Sequence, residues 1–264
     1  MIIKEFLPKT ELLKKGVHSY YFIYGDTQKY SCIAFPNTMK SILIGINTKL
    51  NYTNDTIDTK TDTDTVSVQI LNNTRANKFI INQSDIILQI NFLSTGLCSF
   101  MNGPISVLDY PKNDELIRQL KNLLLHTNDQ TEEGILNTIE YILATVYKEQ
   151  KIEQLQRALQ LLETSNSIKK VANEVNMSYR TLHRHFKKYT GLTPSIYQRI
   201  FRLRGALLCN ENPLNVFYDE SHFIREFKFF TGYTPSTYKK GDIFNIAFLK
   251  LIECLFITQR LTSA

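Results

Sequence analysis

One stretch of this chain is written twice. RHFKKYTGLTPSIY runs from Arg184 to Tyr197 and REFKFFTGYTPSTY from Arg225 to Tyr238. The two agree at Arg, Phe, Lys, Thr, Gly, Thr, Pro, Ser and Tyr, at a constant offset of 41 residues (225 − 184). A repeat this close in sequence implies two copies of one small supersecondary unit. The fold of the C-terminal half therefore turns on what a single copy forms.

The first copy is read with its upstream neighbour, NSIKKVANEVNMSYRTLHRHFKKYTGLTP. Ser167 is placed to cap a short helix whose buried face is Ile168, Val171, Ala172 and Val175, and Asn176 and Met177 form a turn. Ser178 then caps a second helix through about Tyr189, and Gly191 supplies the left-handed residue that ends it. Two short helices joined by a turn of about three or four residues form a helix-turn-helix. Leu182, Phe186 and Tyr189 face one way on the second helix and are core candidates. Arg180, His183, Arg184 and Lys187 fall at i, i+3, i+4 and i+7, so the other face is basic or imidazole throughout. Such a face suits a DNA major groove, where Arg bonds two acceptors on one guanine edge and Lys suits a phosphate.

MSYRTLHRHFKKYTGLTPSIYQRIFRL, followed by SHFIREFKFFTGYTPSTY, resembles the DNA-binding domain of AraC/XylS-type bacterial transcription regulators. The resemblance covers roughly residues 150–240. It implies an all-α domain of seven helices, in which two helix-turn-helix units are joined by a long helix, here about Ser195 to Cys209. It also implies that the two recognition helices enter successive major grooves, which answers why the segment is written twice. The base-reading positions fall on Arg180, His183 and Arg184 in the first unit and on Ser221, Ile224 and Arg225 in the second. Lys228 is directed toward the DNA backbone. Ile224 offers a thymine methyl an apolar contact and no hydrogen bond. The resemblance further implies double-stranded promoter DNA as partner, a small-molecule effector, a homodimer, a contact with RNA polymerase and a cytoplasmic location.

Two stretches depart from that pattern. Ser167 to Phe186 spans 19 positions (186 − 167), whereas Pro213 to Phe227 spans 14 (227 − 213), so the second recognition helix has a shortened lead-in, NPLNVFYDES. The connecting helix is about three residues short, roughly 4.5 Å of reach at 1.5 Å per residue. The tail GDIFNIAFLKLIECLFITQRLTSA, residues 241–264, is nearly all apolar from Ile243 to Ile257. Fifteen helical residues (243 to 257) span about 22 Å, short of a bilayer core.

Charge divides the chain in the same place as the repeat. Residues 1–150 hold 14 Lys+Arg against 16 Asp+Glu, a net of −2, and residues 151–264 hold 17 against 9, a net of +8. A basic module beside a neutral one points to a polyanion as the former's partner.

The first hundred residues read as β-structure. VHSYYFIY (17–24), YSCIAFP (30–36), KSILIGIN (40–47), TVSVQIL (65–71), NKFIIN (77–82) and DIILQINF (85–92) are short runs rich in β-branched and aromatic residues, most bounded by Gly, Asn, Asp or Pro. They predict a small antiparallel sandwich or barrel, so the chain as a whole is α+β. NYTNDTIDTKTDTDT (51–65) is polar enough to be expected as a long solvent loop. From Asn113 the period becomes helical, with Leu116, Leu120 and Leu123/Leu124 on one stripe, then EEGILNTIEYILATVYKEQ. In IEQLQRALQLLETSN (152–166), Ile152, Leu155, Leu159 and Leu162 share a helical face. The expected organisation is a β-rich sensing or regulatory domain over 1–110, helices over 111–150 that link the halves and pair between copies, the DNA-binding domain over 151–240, and the tail over 241–264.

Other classes find little in the sequence. His183 and His185 point to different sides of a helix and make no HxxxH pair, and no GxSxG, GxGxxG or Gly-rich phosphate loop occurs. No enzyme, cofactor, metal or membrane role is therefore expected. The four scattered cysteines, Cys32, Cys98, Cys209 and Cys254, read as reduced thiols. The competing reading is a regulator-like protein whose impaired second unit leaves it acting as a protein-interaction module.

Overall fold

In the computed structural model, which describes residues 1–25, 29–53, 56–72, 74–101, 115–126, 131–165, 167–208 and 217–240, the β-rich half forms one seven-stranded sheet. Its strands are β1 (Ile2–Phe6), β2 (Val17–Tyr24), β3 (Tyr30–Ala34), β4 (Lys40–Thr53), β5 (Thr56–Asn72), β6 (Asn77–Ile81) and β7 (Ile86–Phe92), in the order β1-β2-β7-β4-β5-β6-β3. All pairings are antiparallel except the short β5–β6 contact. A four-residue helix, α1 (Glu11–Lys14), joins β1 to β2 and is capped by Thr10.

Both faces of the sheet are buried. On β2, Tyr20 and Phe22 belong to one core cluster and Tyr21 and Ile23 to another, as strict alternation along a strand requires. The second cluster joins Tyr21 of β2 to Ile57 of β5 and Phe79 and Ile81 of β6, strands that are not neighbours in the sheet. Ile87 of β7 and Leu43 of β4 bridge the interval, so one continuous core lines this face of the curled half-barrel.

In the polar stretch 51–65 the described residues, 51–53 and 56–65, are strand and not loop. They form the distal arms of the β4–β5 hairpin, with Tyr52 opposite Ile57 and Asn51 opposite Asp58. Composition misled here, because threonine is β-branched and suits a strand whatever its polarity. Ile57 is fully buried and Thr59 is 3% exposed, while Lys60 between faces is exposed, so the stretch alternates like its neighbours. Thr59 escapes the cost of burying a hydroxyl by donating to the Asp85 carboxylate and accepting from the Asn82 N–H (3.1 Å). Only at Thr48, which faces both Thr61 and Val66, does the ladder skip residues.

Two helices, α2 (Glu115–His126) and α3 (Glu132–Val146), cover the first face. Leu116, Leu120 and Leu124 of α2 and Ile135, Leu136, Ile139, Ile142 and Leu143 of α3 share one core with Ile42, Ile44, Leu88, Ile90 and Phe92. Each such side chain contributes about 1.5–3 kcal/mol on burial. The helices expected to link the halves are thus packed on the sheet itself. Lys4 and the backbone N–H of Lys9 reach Glu132 (2.7 Å) and Glu140 (2.9 Å) on α3 and fasten it there.

The C-terminal half is helical: α4 (Glu153–Thr164), α5 (Ile168–Glu174), α6 (Tyr179–Thr190), α7 (Pro194–Leu208), α8 (Glu220–Thr231) and α9 (Pro235–Lys240). Ile152, Leu155, Leu159 and Leu162 pack with Val171, Ala172, Val175, Leu182 and Phe186 in the first unit's core. The second unit's core joins Ile200, Leu203 and Ala206 of α7 to Phe217, Phe223, Phe227 and Phe230, and it also takes in Ile33 of β3 and Phe35 just beyond it. The shortened lead-in spans residues 209–216 in part, and these, like the tail 241–264, lie outside the described residues; so does any seventh helix in that interval.

Candidate nucleic-acid interface

The repeated segment is a helix-ending and helix-starting cassette. In the first copy the Thr190 hydroxyl donates to the Phe186 carbonyl (2.8 Å) and accepts from the Leu192 N–H (3.0 Å). Gly191 takes φ 71°, and its N–H closes the helix on the Lys187 carbonyl. In the second copy Thr231 donates to the Phe227 carbonyl (2.7 Å) and accepts from the Tyr233 N–H (3.2 Å), and Gly232 takes φ 79°. Left-handed backbone costs a residue with a Cβ about 1–2 kcal/mol, which explains glycine at both positions. Thr193 and Thr234 then accept from the Ile196 and Thr237 N–H groups (both 3.2 Å), and Pro194 and Pro235 open the next helices. Five of the nine identities, Phe, Thr, Gly, Thr and Pro, are thus cap, turn or core residues in both copies, whereas the shared Arg and Lys stand exposed.

Upstream, both helices of the first unit start as their sequence predicts. Ser167 Oγ accepts from the Lys170 N–H (3.3 Å) and Ser178 Oγ from the Thr181 N–H (3.1 Å). Asn176 turns the chain at φ 55°, and the Met177 N–H donates to the Ala172 carbonyl (2.9 Å). Asparagine is one of the few residues with a side chain that visits this region readily. On α6, Leu182 and Phe186 are fully buried and Tyr189 half-buried between the first unit's core and the sheet's. Arg180, Arg184 and Lys187 are exposed on the opposite face, with His183 half-buried beside Tyr179 at 5.8 Å between ring centroids.

On α8, Asp219 rather than a serine is the cap, its carboxylate accepting the His222 N–H at 2.6 Å. Ser221, Arg225 and Lys228 are exposed, whereas Ile224 is half-buried against the core that includes Phe223 and Phe227. Phe35, which follows β3, meets Phe227 edge to face, with centroids 5.9 Å apart. Arg199 of α7 grips Glu226 through two bonds (2.8 and 3.0 Å) and lies over Phe229 (4.5 Å) and Phe230 (5.1 Å), so α8 is held on three sides. Among the described residues, Arg180, Arg184, Lys187, Arg225 and Lys228 make no ion pair. Five cations standing in solvent on two helix faces form a surface that attracts a polyanion.

The sequence reading missed a set of buried basic groups where the halves meet. Lys40 is fully buried, and burial followed by the charge of Lys187 pushes its ammonium down to about 7. Arg204 of α7 donates to the Pro36 carbonyl (3.4 Å), and burial pushes its guanidinium down to about 10. Burial and, less strongly, Arg204 push His18 down to about 4. A signal for Lys40 exists in KSILIGIN: period two puts it on the same face as Ile42 and Ile44. Tyr197 of α7 is also buried, its hydroxyl donating to Glu163 (3.2 Å).

Among the described residues there is no group of three or more His, Cys, Asp and Glu side chains that could hold a metal ion. Among them, too, no helix is long and apolar enough to cross a membrane.

Residues 171–241, from α5 through α9, match the family model of a helix-turn-helix domain. Among solved structures, ToxT from Vibrio cholerae is similar over 90% of this chain and 98% of its own, at 11% identity and a TM-score of 0.39. ToxT from the same organism with an unsaturated fatty acid bound is similar over 82% and 96%, at 15% identity and a TM-score of 0.38. A likeness that distant carries no argument for this chain's chemistry. No curated protein matches the sequence.

Proposed function

We propose that this chain, whose C-terminal region carries a helix-turn-helix domain of the AraC/XylS type, is a transcription regulator that reads duplex DNA with α6 and α8. The observation that carries the reading is the stripe of exposed Arg180, Arg184 and Lys187 with half-buried His183, on a helix whose opposite face is locked into a core. Arg180, His183 and Arg184 face base edges, and Lys187 faces a phosphate. On α8 the corresponding positions are Ser221, Ile224 and Arg225, with Lys228 on a phosphate.

The two heads are unequal in this reading. Ile224 gives part of its surface to the core, and Asp219 and Glu220 stand at the helix start. Carboxylates there favour the helix dipole but repel phosphate at the groove. Sequence preference accordingly rests mainly on α6.

The β-rich half is the regulatory part, responding to a small-molecule effector. Support comes from its attachment to the second head: the Ala76 N–H donates to the Phe230 carbonyl (2.8 Å), and Ile33 and Phe35 complete that head's core. A change in the sheet is thereby transmitted to α8 through direct packing.

The test is selection of a preferred duplex from a random pool by the full chain, followed by Arg184→Ala. The substitution should cost about 1–3 kcal/mol on the selected duplex and relax base choice at one position. An Arg184→Ala protein with unchanged affinity and preference would show that α6 is not in the groove.

A further inference from the structure

A cleft of about 440 Å³ opens between the sheet and the C-terminal end of α8. From the sheet side it is lined by Ile33, Thr56, Arg75, Ala76 and Lys78, and from the other by Lys228 to Tyr233. It holds three cations, Arg75, Lys78 and Lys228, all exposed, and no carboxylate among its lining residues. None of the three makes an ion pair among the described residues.

The cleft continues the face of α8 assigned to DNA. At 100° per residue, Ser221, Arg225 and Lys228 lie within one narrow stripe, and Lys228 ends that stripe inside the cleft. Arg75 is placed there by the fold. Its guanidinium lies over the Phe229 ring at 5.5 Å from the centroid, and the next residue, Ala76, is hydrogen-bonded to the backbone of Phe230. Lys78 is on β6, whose neighbours Asn77 and Phe79 are buried, so its position is set by the sheet. When Lys228 stands at a phosphate, two cations of the other half therefore stand beside it on the same flank of the helix.

We propose that Arg75 and Lys78 bind the DNA phosphate backbone next to Lys228, so that the β-rich half is itself part of the DNA-binding surface. A phosphodiester chain fits these groups better than a free small anion: the cations are exposed, spaced along an open cleft, and continuous with the reading stripe. The contact is sequence-independent, because it reaches no base edge. It rests on the placement of α8 in the groove proposed above.

The experiment measures affinity of the full chain for a random-sequence duplex of about 30 base pairs against salt concentration, by fluorescence anisotropy. Each phosphate contact adds about 0.9 to the slope of log K on log salt. Arg75→Ala with Lys78→Ala should lower the slope by about 1.8. From 50 to 200 mM salt the double variant should then lose roughly tenfold less affinity than the parent. Arg75→Lys with Lys78→Arg should keep the parent slope. Lys14→Ala with Lys15→Ala, which removes the same charge from the last residue of α1 and its C-cap, is the control for net charge. A slope for the Arg75 and Lys78 double variant equal to this control's would overturn the inference. Lys187→Ala and Lys228→Ala, measured alongside, separate the two claims. If they lower the slope by about 0.9 each and the sheet variant does not, only the sheet contact is wrong. If they too leave it unchanged, the placement of both recognition helices falls.

Discussion

Lys40 offers a sharp test of how the two halves meet. Its side chain is fully buried at the start of β4, on the face that carries Ile42 and Ile44. Burial, then the charge of Lys187 on α6, lowers its ammonium from the usual 10.5 to about 7. That lowering corresponds to about 5 kcal/mol of folding free energy. The sign follows from proton counting. Between pH 7 and 10.5 the unfolded chain binds a proton here that the folded chain does not, so stability rises with pH across that window. The cost is absent above the unfolded value and complete below the folded one. Lys40→Met keeps the volume of the stem and removes the charge. It should therefore stabilise the protein by about 4 kcal/mol at pH 7.5 and by about 1 kcal/mol at pH 10. Urea unfolding followed by circular dichroism at both pH values reads the difference, and other titrating groups cancel between parent and variant. Lys187→Gln should shrink the pH dependence of the parent, because it removes the second cause of the shift. Equal stabilisation at both pH values, or destabilisation at pH 7.5, would show that Lys40 keeps its charge in the fold.

Three further outcomes follow from the same packing. Gly232→Ala should cost about 1–2 kcal/mol although no atom lies within 4 Å of the added methyl, because φ 79° is the whole penalty; thermal unfolding measures it. Phe35→Ala opens a cavity beside Phe227 and should cost about 3–5 kcal/mol, with amide exchange in α8 rising more than in α6. A footprint on a selected duplex should protect the groove read by α6 more strongly than a second groove about 34 Å away. Equal protection, with Arg225→Ala as damaging as Arg184→Ala, would refute the asymmetry.

The helical half was legible because its signals are local. Ser167, Ser178, Gly191 and Gly232 each fix a helix end through one hydrogen bond or one φ angle, and a sequence displays such residues directly. The periodic leucines of α2 and α4 likewise name their own buried faces. The hairpin over 51–65 was not legible, because a run of Thr and Asp carries strand and loop signals together. What separated them was a partner far away: the Asp85 carboxylate that receives Thr59. The same holds for Lys40 and Arg204, whose burial depends on where one half of the chain lands on the other.

That landing changes what the second helix-turn-helix unit is. A short lead-in argues from sequence for a weakened head, since a supporting helix normally supplies apolar surface behind the recognition helix. In the structure Ile33 of β3 and Phe35 just beyond it lie behind Phe223, Phe227 and Phe230, so part of that surface comes from the other half of the chain. At about 1.5–3 kcal/mol for each buried side chain, these two outweigh a typical exposed ion pair several times over. The consequence is directional. The first unit draws its buried core from its own helices, with half-buried Tyr189 packed on the sheet's core as well, and α6 can keep its shape without the sheet. The second cannot, so α8 is the head whose position the β-rich half controls. A separated C-terminal piece should then keep an ordered α6 and lose order in α8, which amide exchange on residues 150–264 resolves helix by helix. Full protection of α8 in that piece would mean that the sheet only rests against a unit already complete.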